Sequence, residues 1–83
     1  MITSAQLRAA RALLGIDQKR LAELARLSLP TIQRMETSNG VIRGNVDSLT
    51  KVVEALNTAG IDLIGEGGAS QSGGRGVRFR AQP

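Results

Sequence analysis

Residues 18–36, QKRLAELARLSLPTIQRME, read as two short helices joined by a tight turn. The first is an amphipathic run from Asp17 to Arg26, and the second starts at Ser28-Leu29-Pro30. Apolar side chains fall at Leu21, Leu24, Ala25, Leu27, Ile32 and Met35, which predicts one buried stripe and one wet face on each helix. Ala22 is small and lets the second helix cross close by. The outer face of the second helix carries Thr31, Gln33 and Arg34, which are short or hydrogen-bonding groups suited to the edges of bases.

Two helices joined in this way make a helix-turn-helix, whose second helix reads the DNA major groove. Gln18, Leu21-Ala22, Ser28, Thr31-Ile32 and Met35-Glu36 resemble the pattern of the lambda-repressor-like, or Xre-type, family of DNA-binding domains. The resemblance spans residues 5–60 and rests on the whole spacing rather than on any one residue. It implies a mainly α fold of four helices, with a helix-turn-helix domain over residues 1–60. It implies that Gln18 reaches a phosphate and braces the recognition helix. It also implies that Arg11 pairs with Glu36, the acid that ends that helix. Leu29 and Pro30 sit where the family's helix tip meets the bases, and they can pack on thymine methyl groups. One departure stands out: Arg26 occupies the turn where the family usually has glycine. A left-handed residue other than glycine costs about 1 kcal/mol. Either the turn differs slightly here, or it carries that strain in return for another basic group.

Eighty-three residues make one domain and a small core, which a second subunit would help to stabilise. Phe79 is the sole aromatic, so the helices must pack through Leu, Ile, Val and Ala. The chain has no Cys, and hence no disulfide framework and no thiolate chemistry, which fits a reducing cytoplasm. It has no His, the commonest general base and zinc ligand. No metal or other cofactor is expected. No apolar run reaches membrane-spanning length, and Met1-Ile2-Thr3 does not open a signal peptide. The net charge of +4 favours a polyanion partner only weakly.

The first helix is expected over residues 4–14, where Thr3 and Gln6 have capping-box spacing. Leu7, Ala10 and Leu14 should face the core, Arg8 should be solvated, Gly15 suits the helix end and Ile16 packs inward. Asp17 caps the second helix. Lys19 and Arg20 lie in its first turn and oppose the positive end of its dipole, which is more easily understood beside phosphate. Glu23 offers Lys19 a counter-charge one turn on. Ser28 caps the third helix and is a phosphate candidate. Pro30 in the first turn loses no helical hydrogen bond. Arg34 leads the base-contact candidates, because it can fork onto guanine O6 and N7. Gln33 and Thr31 follow it.

Residues 37–44, TSNGVIRG, form a loop. Arg43, and the free N–H groups of the next helix capped by Asn45, are further phosphate contacts. That helix is expected over residues 46–59 with Leu49, Val53 and Leu56 as its core stripe, Val52 beside them, and Gly60 as the residue after its end. Residues 61–83 differ in character. Ile61-Asp62-Leu63-Ile64 and Val77-Arg78-Phe79-Arg80 have strand character, and the Gly- and Ser-rich stretch between them reads as mobile. Two strands alone are marginal in water. They must lean on the helical core as a hairpin, or pair with a second subunit. The second arrangement is favoured, with Ile61, Leu63, Val77 and Phe79 as dimerisation residues. Arg75, Arg78 and Arg80 either pair with Asp62 or form a second basic patch.

The leading functional reading is a sequence-specific transcriptional regulator, a repressor by the commoner outcome. As the resemblance implies, it would act as a homodimer on a near-palindromic operator in double-stranded DNA. A variant of the same class is the antitoxin of a toxin–antitoxin pair, with the tail ordering on the toxin. A protein-interaction module that never touches DNA is the second class, and Thr31, Gln33 and Arg34 argue against it. Enzyme chemistry is not expected, because no carboxylates are placed to share acid–base work. The glycine-rich stretch also lacks the Lys-Ser/Thr ending of a phosphate-binding loop.

Overall fold

Thr3 and Gln6 form a capping box that starts α1, Ser4–Leu14. The Thr3 hydroxyl accepts from the Gln6 N–H at 3.1 Å, and the Gln6 amide oxygen accepts from the Thr3 N–H at 2.9 Å. Gly15 closes the helix at φ +67°, a left-handed conformation open to glycine without steric cost. Asp17 opens α2, Gln18–Ala25, by accepting from the Arg20 N–H at 2.8 Å. Ser28 opens α3, Leu29–Thr37, and Asn45 opens α4, Val46–Thr58. This computed structural model describes residues 2–65 and 73–80.

The helices bury Leu7 and Ala10 from α1; Leu21, Ala22 and Ala25 from α2; Ile32 and Met35 from α3; and Leu49, Val52 and Leu56 from α4. Ile2, Ile42 and Ile61 complete the core. Each buried branched side chain is worth about 1.5–3 kcal/mol against exposure. Two details depart from the periodicity. Leu24 is 39% exposed, because α2 turns Ala22 inward where it crosses its neighbours. In α4 the fully buried valine is Val52, and Val53 is half-buried, because α4 is wedged between α2 and the strand that follows it.

That strand is β1, Ile61–Ile64, and it pairs with β2, Gly76–Phe79, in an antiparallel hairpin. Ile61 lies opposite Phe79, Asp62 opposite Arg78, and Leu63 opposite Val77. The hairpin leans on the helices: β1 packs on α4 and β2 on α1. The Gln6 side-chain amide donates to the carbonyls of Ile64 at 2.9 Å and Gly76 at 3.0 Å, pinning both strands at once. These contacts supply the support that a two-stranded sheet lacks alone.

The arrangement revises the expected dimerisation residues. Ile61 is fully buried in the core of its own chain, because Gly60 at φ +99° turns β1 back across α4. Leu63 and Val77 are half-buried against the same core, and Phe79 remains 54% exposed. Most of the glycine-rich connection expected to be mobile, residues 66–72, lies outside the described residues. The segment before α1 also pairs with the loop after α3. Thr3 bridges Val41, and the Ile42 N–H donates to the Ile2 carbonyl at 2.9 Å.

Candidate nucleic-acid interface

Arg26 joins α2 to the turn at φ 58° and ψ 43°, and among the described residues no other non-glycine has positive φ. Its N–H donates to the Glu23 carbonyl at 3.2 Å, and the Leu27 N–H donates to the Ala22 carbonyl at 2.9 Å. The turn therefore keeps the left-handed conformation and carries the strain, about 1 kcal/mol.

α3 leaves this turn with two clearly different faces. Ile32, Met35 and Glu36 are buried. Pro30, Gln33, Arg34 and Thr37 are exposed, at the i, i+3, i+4, i+7 spacing of a single stripe. Leu29 and Thr31 flank it, half-buried. A helix about 10–12 Å across fits a major groove about 12 Å wide. At the tip, the Ser28 and Thr31 hydroxyls hydrogen-bond at 2.8 Å, and Ser28 also accepts from the Thr31 N–H at 3.3 Å. The rotamers of both residues are thereby set. The Arg34 guanidinium makes no hydrogen bond or ion pair among the described residues.

The inner end of α3 is anchored through Glu36, whose side chain is 3% exposed. The structure brings Arg11 and Glu36 together in a two-pronged pair, Nε to Oε2 at 2.8 Å and Nη2 to Oε1 at 3.0 Å. The Gln18 amide donates to Glu36 Oε1 at 3.0 Å, and Arg11 also donates to the Ile16 carbonyl at 3.3 Å. Burial pushes the Glu36 carboxyl up. The hydrogen bonds from Arg11 and Gln18 and the charges of Arg11 and Arg8 outweigh that and hold it below the ordinary glutamate range. The hydrogen bond to Glu36 raises the Arg11 guanidinium against its own burial, with the charges of Glu36 and Asp17 adding to the effect.

The phosphate candidates sit at or just before the starts of α2, α3 and α4. Lys19 is exposed in the first turn of α2 and makes no ion pair among the described residues. Glu23 lies nearer Arg20, at 3.9 Å and one turn away, than the expected Lys19. Gln18 spends one amide N–H on Glu36, which leaves the other free to reach outward. Ser28 and Asn45 both use their side-chain oxygens as helix caps, and Asn45 accepts from the Asp47 N–H at 2.8 Å. Any phosphate contact by the Asn45 side chain must come from its NH₂ group. Arg43 is exposed just before α4.

Arg8 is exposed, as expected, and its guanidinium also donates to the Glu36 carbonyl. Of the two alternatives for the hairpin arginines, Arg78 takes the first and pairs with Asp62 at 3.3 Å, while the Arg80 guanidinium donates to the Asn57 carbonyl of α4. Sequence reasoning also missed Ser4, whose hydroxyl donates to the Ser38 carbonyl, and the pinning of both strands by Gln6. No local pattern signals contacts between residues so far apart in the chain. Among the described residues no group of carboxylates could hold a metal, and no helix is long and apolar enough to cross a membrane.

The family model described as helix-turn-helix matches residues 7–63, from within α1 to within β1. No curated protein matches the chain.

Proposed function

We propose a function from one premise: the chain belongs to the lambda-repressor-like, Xre-type helix-turn-helix family, whose members bind DNA and regulate transcription. In this reading it is a sequence-specific repressor. It inserts α3 into the major groove as a homodimer on a near-palindromic operator, with half-sites about one helical turn, roughly 34 Å, apart. The observation that carries the reading is the stripe of Pro30, Gln33, Arg34 and Thr37, which faces out from a helix whose other side is locked into the core.

The roles follow from position. Arg34 forks onto guanine, Gln33 and Thr31 hydrogen-bond to base edges, and Leu29 and Pro30 pack on thymine methyl groups. Gln18, Lys19, Ser28, Arg43 and Asn45 contact phosphates and set the register. Phe79 and the half-buried Leu63 and Val77 are the hairpin residues left to meet a second copy.

Selection of bound sequences from a random duplex pool tests this reading, followed by gel retardation on the winner across a salt series. The expected outcome is a recovered motif with dyad symmetry and affinity that falls steeply with salt. Binding that is absent or flat with salt removes the DNA-reading role. A motif without symmetry removes the homodimer.

A further inference from the structure

We propose that Ser4 and Arg8 are positioning residues for base reading: they set the pose of the C-terminal half of α3, and with it the reach of Arg34. The proposal rests on α3 being the DNA reader. The end of α3 is built differently from those of its neighbours. α1 and α2 close on left-handed residues, Gly15 and Arg26, and α4 is followed by Gly60 at φ +99°. α3 instead runs into an extended Ser38 at φ −65° and ψ 150°, so its last carbonyls need partners from elsewhere.

Those partners are side chains. The Arg34 carbonyl accepts from the Thr37 and Ser38 hydroxyls, each at 3.1 Å. The Glu36 carbonyl accepts from Arg8, and the Ser38 carbonyl accepts from Ser4. The Ser4 N–H then donates to the Gly40 carbonyl at 3.0 Å. Ser4, Arg8 and Arg11 lie about a turn apart along α1. Arg11 holds the carboxylate of Glu36 and Arg8 its carbonyl, so α1 grips both ends of that one residue. Arg34 and Thr37, both on the exposed stripe, flank the buried Glu36 in sequence. The Arg34 side chain has no hydrogen bond or ion pair of its own among the described residues, so its aim at a base depends on this stretch of backbone. A bidentate fork tolerates little displacement before one of its two hydrogen bonds is lost.

Two substitutions separate this role from its rivals. Arg8→Met keeps the aliphatic stem and removes the donors. Ser4→Ala removes a hydroxyl and leaves the charge untouched. Each full-length variant, with wild type beside it, goes through selection from the random duplex pool, affinity measurement at several salt concentrations, and thermal melting without DNA. Preference at one base position, on the order of ten- to a hundredfold for an arginine–guanine pair, is expected to fall several-fold in both variants. The other positions keep their preference, and the salt slope of Ser4→Ala is unchanged. Arg8→Lys can still donate to the carbonyl and should recover most of the lost preference; if Arg8→Met does not fold, the comparison stands on Ser4→Ala and Arg8→Lys. If Arg8 were instead a phosphate contact, Arg8→Met would weaken all sequences alike and reduce the salt slope by about one, and that result overturns the proposal. Earlier melting with an unchanged sequence profile also overturns it, because only stability is then involved. A wild type that selects no sequence overturns the reading of α3 and this inference together. A selective wild type with unchanged variants overturns this inference alone.

Discussion

Arg11 and Glu36, 25 residues apart in the chain, share two hydrogen bonds of 2.8 and 3.0 Å that fasten α1 to the last turn of α3. Glu36 is almost wholly buried, and Arg11 is 25% exposed. Removing the arginine strands a carboxylate in the core, with Gln18 as its remaining side-chain donor. Arg11→Ala should therefore lower unfolding stability by on the order of 3 kcal/mol. Replacing both residues by methionine should restore much of it, because no buried charge remains. Urea denaturation of the two variants checks this, and a double variant no better than the single one contradicts it.

Glu36 titrates lower in the folded chain than in the unfolded one. Its contribution to stability is therefore complete above the unfolded value, roughly pH 4.3 for glutamate. It is lost as the pH falls through the depressed folded value. The urea midpoint should drop from about pH 4.3 downward, and the Arg11/Glu36 double-methionine variant should drop less over the same window. Parallel pH profiles would rule out Glu36 as the group responsible.

Arg34→Ala should relax the preference at one base position and cost about 1–3 kcal/mol of binding to the best site. Gln18→Ala should weaken all sequences similarly, since it removes the hydrogen bond that braces Glu36 and, on the proposed reading, a phosphate contact rather than a base reader. An Arg34→Ala protein that binds every operator variant with wild-type affinity would refute the assigned role.

Arg26→Gly sets two effects against each other. Relief of left-handed strain gains about 1 kcal/mol, and the added freedom of the unfolded chain removes about 0.4–1 kcal/mol. The net expectation is a gain of up to about 0.5 kcal/mol in a thermal or urea melt. A loss of stability would mean that the arginine side chain contributes more than its conformation costs.

Gln6→Leu keeps a side chain of similar size and removes the donor shared by Ile64 and Gly76. Amide hydrogen exchange should then quicken across residues 61–64 and 76–79, while α2 and α3 keep their protection. Uniform quickening through the whole chain would show that the hairpin is not a separately tethered unit.

The helices were legible because their signals are local. Thr3 with Gln6, Asp17, Ser28 with Pro30, and Asn45 mark helix starts within a turn of the residues they serve, and the apolar spacing identifies the buried faces. The outward stripe on α3 follows from the same spacing: with Ile32 and Met35 in the core, Gln33 and Arg34 must face away. The helix-turn-helix was therefore readable from residues 18–36 alone.

Only the tertiary structure decided the contacts between distant segments. Neighbouring valines look alike to a periodicity, and the elements packed around α4 chose Val52 over Val53. The Gln6 amide meets carbonyls 58 and 70 residues away, and Arg8 meets one 28 residues away. Sequence determined which stretches fold into helices and which helix face stays wet, since these depend on residues three or four apart. The fold determined that the strands pair within the chain and that α1 grips the end of α3, because a backbone carbonyl leaves no mark in the sequence to show which side chain will reach it.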